Sequence, residues 1–251
     1  MQEESSLGTT RRVVQRVRHE TRRRDLQVLR VESPSASFRR VILGGEALAG
    51  FLSASFDDHV KLILDSGNGG EPVMRDYTPR HYDQAAGELT IEFALHGDGP
   101  AAEWAAAAQP GQRATIGGPR GSFNIPLDYD WHLLVGDDTA LPAISRRLEE
   151  LPAGAHAIVL LQVAPADRRA FATRANAQIQ WVDSDAALID AVRALALPAA
   201  GEGYAWCAGE AATMATLRRI LVEDKGHDRR AIRAAAYWKR GAQAHHENLE
   251  D

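Results

Sequence analysis

The hexapeptide Arg75-Asp76-Tyr77-Thr78-Pro79-Arg80 puts three kinds of ligand-binding group close together. Arginine is a planar cation whose forked donors suit a phosphate. Tyr77, two residues on, stands on the same side of an extended chain and offers a flat apolar ring with a polar tip. Thr78 adds a hydroxyl. The trio could hold a pyrophosphate, stack against a flat ring system or a ribose, and hydrogen-bond a ring nitrogen. An ordinary edge strand with a surface arginine accounts for the same six residues, since short motifs match by chance.

A second group follows the alternating stretch Leu89–Leu95, in His96-Gly97-Asp98-Gly99-Pro100-Ala101-Ala102-Glu103-Trp104-Ala105. Glycines that lead into a helix start make an anion site, because free backbone N–H groups and the helix dipole point at the ligand. His96 taken alone reads equally as a histidine satisfied within its own turn.

These groups need elements to position them. Leu89, Ile91, Phe93 and Leu95 alternate with Thr90, Glu92 and Ala94, the period of a strand with two unlike faces. Short runs of the same kind occur at Leu26–Val31, Arg39–Leu43, Val60–Leu64 and Arg113–Ile116, with glycine and proline between them. Short strands at this spacing predict a small antiparallel barrel. Beyond about Leu127 the rhythm changes. Leu133–Val135 and Ala157–Val163 are continuous apolar strands, and Ile179–Val182 and Tyr204–Ala208 are further strand candidates. Helical spacing separates them, at Leu141, Ile144, Leu148 and Leu151, at Leu188, Val192 and Leu195, and at Met214, Leu217 and Leu221. Alternating strands and helices predict a parallel sheet. The expected fold is therefore two-domain, an antiparallel β-barrel over residues 1–127 followed by an α/β domain with a parallel sheet over 128–251.

Composition bounds the function classes. The chain has 251 residues, 45% apolar and 25% charged, as in an ordinary globular protein. A net charge of −5 gives no electrostatic reason to expect nucleic acid. No apolar run approaches the roughly 20 residues that span a bilayer, and Met1–Thr10 lacks the apolar stretch of a secretory signal. The arginine-rich arm Arg11–Arg24 also carries Glu20 and reads as a solvated, structured start. The single cysteine, Cys207, forms no intramolecular disulfide and fits a reducing compartment, so a cytoplasmic protein without membrane or nucleic-acid partners is expected.

The two groups belong to an ordered series. Gly118-Pro119-Arg120-Gly121-Ser122, Gly136-Asp137-Asp138-Thr139-Ala140-Leu141-Pro142-Ala143-Ile144, Trp206-Cys207-Ala208-Gly209-Glu210-Ala211 and Tyr237-Trp238-Lys239-Arg240-Gly241 complete it. In that order the segments resemble the siderophore-interacting protein family, from about Arg30 to Gly241. The resemblance implies a ferredoxin-reductase-like, FAD-dependent ferric-siderophore reductase with NADPH or NADH as electron donor. It places Arg75, Tyr77 and Thr78 against the flavin and its pyrophosphate. Ile91 and Phe93 would line the flavin, with His96 at the strand end, and Gly97, Gly99, Pro100 and Ala101 would bring amides to the phosphates. Asp138, Thr139 and Ala140 would sit where the first strand of the second domain meets its helix. The nicotinamide side would comprise Gly136, Gly209 and Glu210. Read from the residues alone, the strand Ile158–Val163 ends near Asp167-Arg168-Arg169, where Arg168 and Arg169 either meet a phosphorylated ribose or form a solvated helix start. Trp238, Lys239 and Arg240, expected on a C-terminal helix, would form a substrate entrance with an aromatic wall and positive charge.

Other features carry less. The second half has no Gly-x-Gly-x-x-Gly fingerprint, and Cys207 reads as a small buried strand residue. Asn68-Gly69-Gly70 has no helix pattern after it, and His245-His246-Glu247 reads as a solvated tail beside Glu250 and Asp251. No acid–base dyad and no metal site is expected. Competing readings are a general flavin or ferredoxin-type reductase, with ferredoxin as an alternative donor, and a non-enzymatic siderophore-binding module.

Overall fold

The computed structural model describes residues 12–65, 69–95, 99–242 and 247–249. Two sheets dominate it. Strands β1 (Gln15–Arg18), β2 (Arg23–Ser35), β3 (Phe38–Gly44), β4 (Val60–Leu64), β5 (Val73–Tyr77), β6 (Pro79–Asp83) and β7 (Glu88–Ala94) come first. Helix α1 (Pro100–Ala107), then β8 (Arg113–Gly117) and β9 (Gly121–Asn124), close this half. All but β1 and β9, which pair with each other, form one antiparallel sheet in the order β5-β4-β8-β2-β3-β7-β6. Its two edges, β5 and β6, are consecutive in the chain with only Thr78 between them. The sheet must therefore curl round on itself, as a barrel that stays open along one seam.

The second half alternates strands with helices. It runs β10 (Trp131–Asp137), α2 (Leu141–Glu150), β11 (His156–Gln162), β12 (Asn176–Val182), α3 (Asp185–Ala194), β13 (Gly203–Glu210), α4 (Ala211–Arg219), β14 (Ile232–Trp238) and the short β15 (Glu247–Asn248). The sheet order is β12-β11-β10-β13-β14-β15, and only β15 is antiparallel. Every residue of β10 is buried, which explains its unbroken apolar run, since a central parallel strand is covered on both faces. From β10 the chain winds first towards β11 and later towards β13, so the topological switch point, where such sheets bind ligands, lies between the ends of β10 and β13.

Three apolar cores hold this together. One fills the barrel around Leu43, Leu62, Leu89, Ile91 and Phe93. One lies under α3 and α4 around Leu133, Leu188 and Leu217. The third joins Phe38 and Phe56 of the first half to Leu134, Ile144 and Trp206 of the second.

The expected C-terminal helix is corrected: Ile232–Trp238 is a strand parallel to β13. Its run of alanines and arginines favours a helix locally. Burial of Ala234, Ala235 and Ala236 beside β13 overrides that preference, because strand propensity is largely a matter of fit to neighbours. Among the described residues no helix is long and apolar enough to cross a membrane.

Candidate functional site

A cleft of about 390 Å³ opens where the barrel seam meets the switch point. From the barrel come Arg75, Tyr77, Thr78 and Gly99; from the second half come Asp138, Thr139, Tyr237 and Trp238. Two groups distant in sequence are thus brought to one site.

Arg75 and Tyr77 pair with Leu62 and Val60 on β4, so both follow the interior side of the curled sheet. The Tyr77 ring packs on Phe93 with centroids 4.3 Å apart, and Phe93 packs on Trp104 of α1 at 5.6 Å. Burial pushes the Tyr77 phenol up to about 12 despite the nearby Arg75, so the ring stays neutral. The Arg75 guanidinium donates to the Met74 carbonyl at 2.9 Å and forms no ion pair among the described residues. Its charge is open to an anion. Thr78 is buried and hydrogen-bonds the Tyr237 side chain, so its hydroxyl ties the barrel to β14.

Other expected residues serve from behind. Ile91 and Phe93 are fully buried in the barrel core. The β6 strand pairs with β7 only as far as Ile91, which leaves the following edge of β7 without a strand partner on that side among the described residues. Gly99 lies at the cleft as the N-cap of α1 and Pro100 starts the helix, while Ala101 is buried in the barrel core. His96 and Gly97 lie outside the described residues, as do Asn68, His245 and His246.

On the other wall, β10 ends in a tight turn at Asp138–Ala140 that leads into α2. Asp138 and Thr139 reach the cleft, whereas Ala140 is buried. A Cβ on Gly136 would lie 2.5 Å from that of Ala140 and 2.8 Å from the Ala208 carbonyl, so glycine lets turn and strand close up. Gly209 has φ +153°, and a Cβ there would sit 2.5 Å from the Asp137 carboxylate. Glu210 ends β13 and caps α4 through the Thr213 N–H at 3.0 Å.

Three expected contacts point elsewhere. Arg168 is ion-paired with Asp183 and donates to the Val163 carbonyl at 3.1 Å, away from the cleft lining. Lys239 and Arg240 are exposed, and Arg240 reaches Asp185 at 3.0 Å, so of the C-terminal trio only Trp238 lines the cleft.

Sequence reasoning missed the cleft's basic mouth. His59 and Lys61 line the cleft and also an adjoining groove of about 480 Å³ that adds Arg23 and Arg120. Lys61 stands opposite Asp76 and binds it at 2.9 Å. The polar position within Val60-Lys61-Leu62 was visible, but its neighbours come from strands far apart in sequence. Missed too was Glu92, whose buried carboxylate takes Arg40 at 2.7 Å and Arg169 at 2.5 Å. Burial alone would raise its pKa; the two guanidiniums more than offset that and hold it below the usual range.

A barrel with an open seam facing the switch point of a parallel sheet defines the ferredoxin-reductase-like class of FAD/NAD-binding folds. The FAD/NAD-binding domain of nitric oxide dioxygenase from Vibrio cholerae shares it, with a TM-score of 0.66 over 86% of this chain and 98% of that one, at 16% identity. Within that class the chain belongs to the siderophore-interacting protein family. Residues 129–241 match the siderophore-interacting protein family itself, and 27–71 and 67–123 match the siderophore-interacting FAD-binding domain. The NADPH-dependent ferric-chelate reductase of Escherichia coli is 39% identical, over 92% of this chain and 99% of that one. Ferric vibriobactin reductase ViuB of Vibrio cholerae is 33% identical, over 88% and 92%. A siderophore utilization protein from T. fusca superposes with a TM-score of 0.86 at 34% identity, covering 92% of this chain and 98% of that one.

Proposed function

We propose that this chain is a cytoplasmic ferric-siderophore reductase that holds FAD in the cleft and takes electrons from NADPH. The carrying observation is the cleft itself, in which an arginine with no ion-pair partner among the described residues, a neutral aromatic ring and a helix start face a switch point. The residues fit FAD. Arg75 would bind its pyrophosphate, Tyr77 would pack against its ring or ribose, and the backbone at Gly99–Ala101 would face the phosphates, with His96 and Gly97 leading in. Ile91 and Phe93 would hold the strand behind the ring, and Asp138, Thr139 and Ala140 the opposite turn.

When bound, FAD supplies the exchange between a two-electron hydride donor and one-electron iron. Overall, one NADPH and two ferric ions would give NADP⁺, a proton and two ferrous ions. Siderophores hold Fe(III) with hard, mostly anionic oxygen donors that bind Fe(II) less tightly, so reduction releases the metal. The protein's part is to bind and orient. Gly136, Gly209 and Glu210 would receive the donor at the switch point, and Arg168 would favour a phosphorylated ribose by exchanging Asp183 for phosphate. Trp238 with the basic mouth, and Lys239 and Arg240 beyond it, would meet the anionic chelate. We place the division between the two domains at residues 127 and 128.

The test is anaerobic turnover with NADPH and a ferric siderophore, the product trapped by a coloured Fe(II) chelator. The expected kcat/KM is higher for the ferric chelate than for free flavin or for reaction with ferredoxin. Preference for free flavin or ferredoxin would replace this reading with a general reductase.

A further inference from the structure

The carboxylate of Asp137 collects four hydrogen bonds from three separate segments. Its Oδ1 accepts from the Thr139 amide at 2.9 Å and the Thr139 hydroxyl at 2.5 Å. Its Oδ2 accepts from the Glu210 amide at 3.0 Å and the Trp238 indole Nε1 at 2.8 Å. The residue is 5% exposed, and among the described residues no cation pairs with the carboxylate. Such a group is costly to bury, so its bonds to donors have to be well made.

What it ties together is the rim of the cleft. Thr139 and Trp238 both line it, one from the β10–α2 turn and one from the end of β14. Between β13 and β14 the register slips, from Gly209 opposite Ala236 to Glu210 opposite Trp238. Regular pairing thus fails where the chain leaves the sheet. Two side chains take over there: Asp137 holds the Trp238 indole, and a Glu210 oxygen accepts from the Arg240 amide at 3.3 Å. Gly209 leaves the space in which the Asp137 carboxylate sits.

We infer that Asp137 is a positioning residue that fixes Trp238 and Thr139 as one wall of the cleft, which the nicotinamide and the chelate meet in turn beside the flavin, and so sets affinity for the nicotinamide without touching it. The inference rests on the reading of the switch point as the donor site. An isosteric amide cannot replace the carboxylate. Asn with its amide group towards Thr139 could still donate to the Thr139 hydroxyl, but it would face the Thr139 N–H with another N–H. Turned the other way, it would face the Glu210 amide and the Trp238 indole. In either pose at least one buried donor is left unsatisfied and the wall would loosen.

Burial, with Asp138 next in the chain, pushes Asp137 up to about 6. Three titratable groups surround it: Asp138 on its own turn, Glu210 at the end of β13 and Tyr237 on β14. Burial acts to raise Glu210, but amide donors including Thr213 and Arg240 hold it below the usual range, and burial keeps Tyr237 well above its own. A protonated Asp137 would turn an O–H towards donors, so the wall should loosen as pH falls through about 6.

The test uses the FAD-loaded protein and equilibrium titration with NADP⁺, read by the flavin difference spectrum. Asp137→Asn should weaken NADP⁺ about tenfold, the scale of one unsatisfied buried donor, and weaken FAD by a smaller factor. Trp238→Phe, which keeps a ring and loses the N–H, should weaken NADP⁺ in the same direction. The double variant should be no weaker than the worse single one by more than about twofold, because the two residues act as a unit. Wild-type affinity should fall below pH 6 while that of Asp137→Asn stays flat. Unchanged NADP⁺ affinity in Trp238→Phe would overturn the inference even if Asp137→Asn failed to fold, and additive losses would overturn it where all three variants fold. If the wild-type protein bound no NADP⁺, the donor reading would fail instead. Urea unfolding of the same variants would then decide, since additive destabilisation would show that the Asp137–Trp238 contact does not couple.

Discussion

The two halves of the chain meet along one seam, and arginines at two places along it serve different ends. At one stretch charge is buried and matched. Asp57 accepts from the Trp206 indole at 2.9 Å and is ion-paired with Arg233, which stacks on Phe123. Beside it, Arg147 packs on Phe56 and donates to the carbonyls of Ile125 and Pro126, and burial lowers it to about 10. At the other stretch Arg75 faces a cleft with no carboxylate partner among the described residues. Arginine count alone does not separate the two stretches. A guanidinium that protein groups already satisfy is a fastener, and one left open at a cleft is a binding group.

The largest effect should come from the closed stretch. Replacing Asp57 by Ala leaves Arg233 buried without its partner and the Trp206 N–H without an acceptor, a loss of about 3–5 kcal/mol. Urea unfolding of the FAD-free protein would read it, and a loss below 1 kcal/mol would erase the contrast. At the open stretch, Arg75→Ala should leave folding almost unchanged. FAD binding should weaken by about 1.5–3 kcal/mol, the value of a charge-assisted contact. Fluorescence titration with FAD checks it; retained affinity would mean that Arg75 is merely a surface residue.

A pH effect follows at the closed stretch. Burial and the neighbouring Arg147 lower His132 from 6.5 to about 3. Between those values the unfolded chain takes up a proton that the folded chain refuses, so stability should fall as pH drops from about 6.5 towards 3. His132→Gln should flatten that slope; an unchanged slope would assign it to other groups. The smallest effect is expected at the solvated rim. Lys239→Gln should raise KM for a ferric siderophore by about twofold at low salt and not at all at high salt, as for an exposed, screened charge.

How much of this was legible in the sequence follows from what is local. The β4 strand reads directly from Val60–Leu64, and α2 from the spacing of Leu141, Ile144 and Leu148, because each is an amphipathic or buried pattern within one element. The cleft residues Arg75, Tyr77, Asp138 and Thr139 were legible as motifs. The last strand was not, since Ala234–Ala236 carry no strand signal and only burial beside β13 selects that form. Nor could His59, Lys61 and Arg120 be grouped, because a basic mouth assembled across β4 and β8 exists only after pairing. Asp137 hid for a related reason, with partners drawn from three strand ends.

The central claim is that the cleft holds a flavin which a nicotinamide reduces and a ferric siderophore reoxidises. The most direct measurement is the visible spectrum of the FAD-reconstituted protein, recorded anaerobically, after NADPH, and again after ferric siderophore. The account predicts flavin bands that bleach with NADPH and return with the chelate, as two Fe(II) appear per NADPH consumed. A protein that takes up no flavin, or whose reduced flavin is left unoxidised by every ferric siderophore tried, would contradict it.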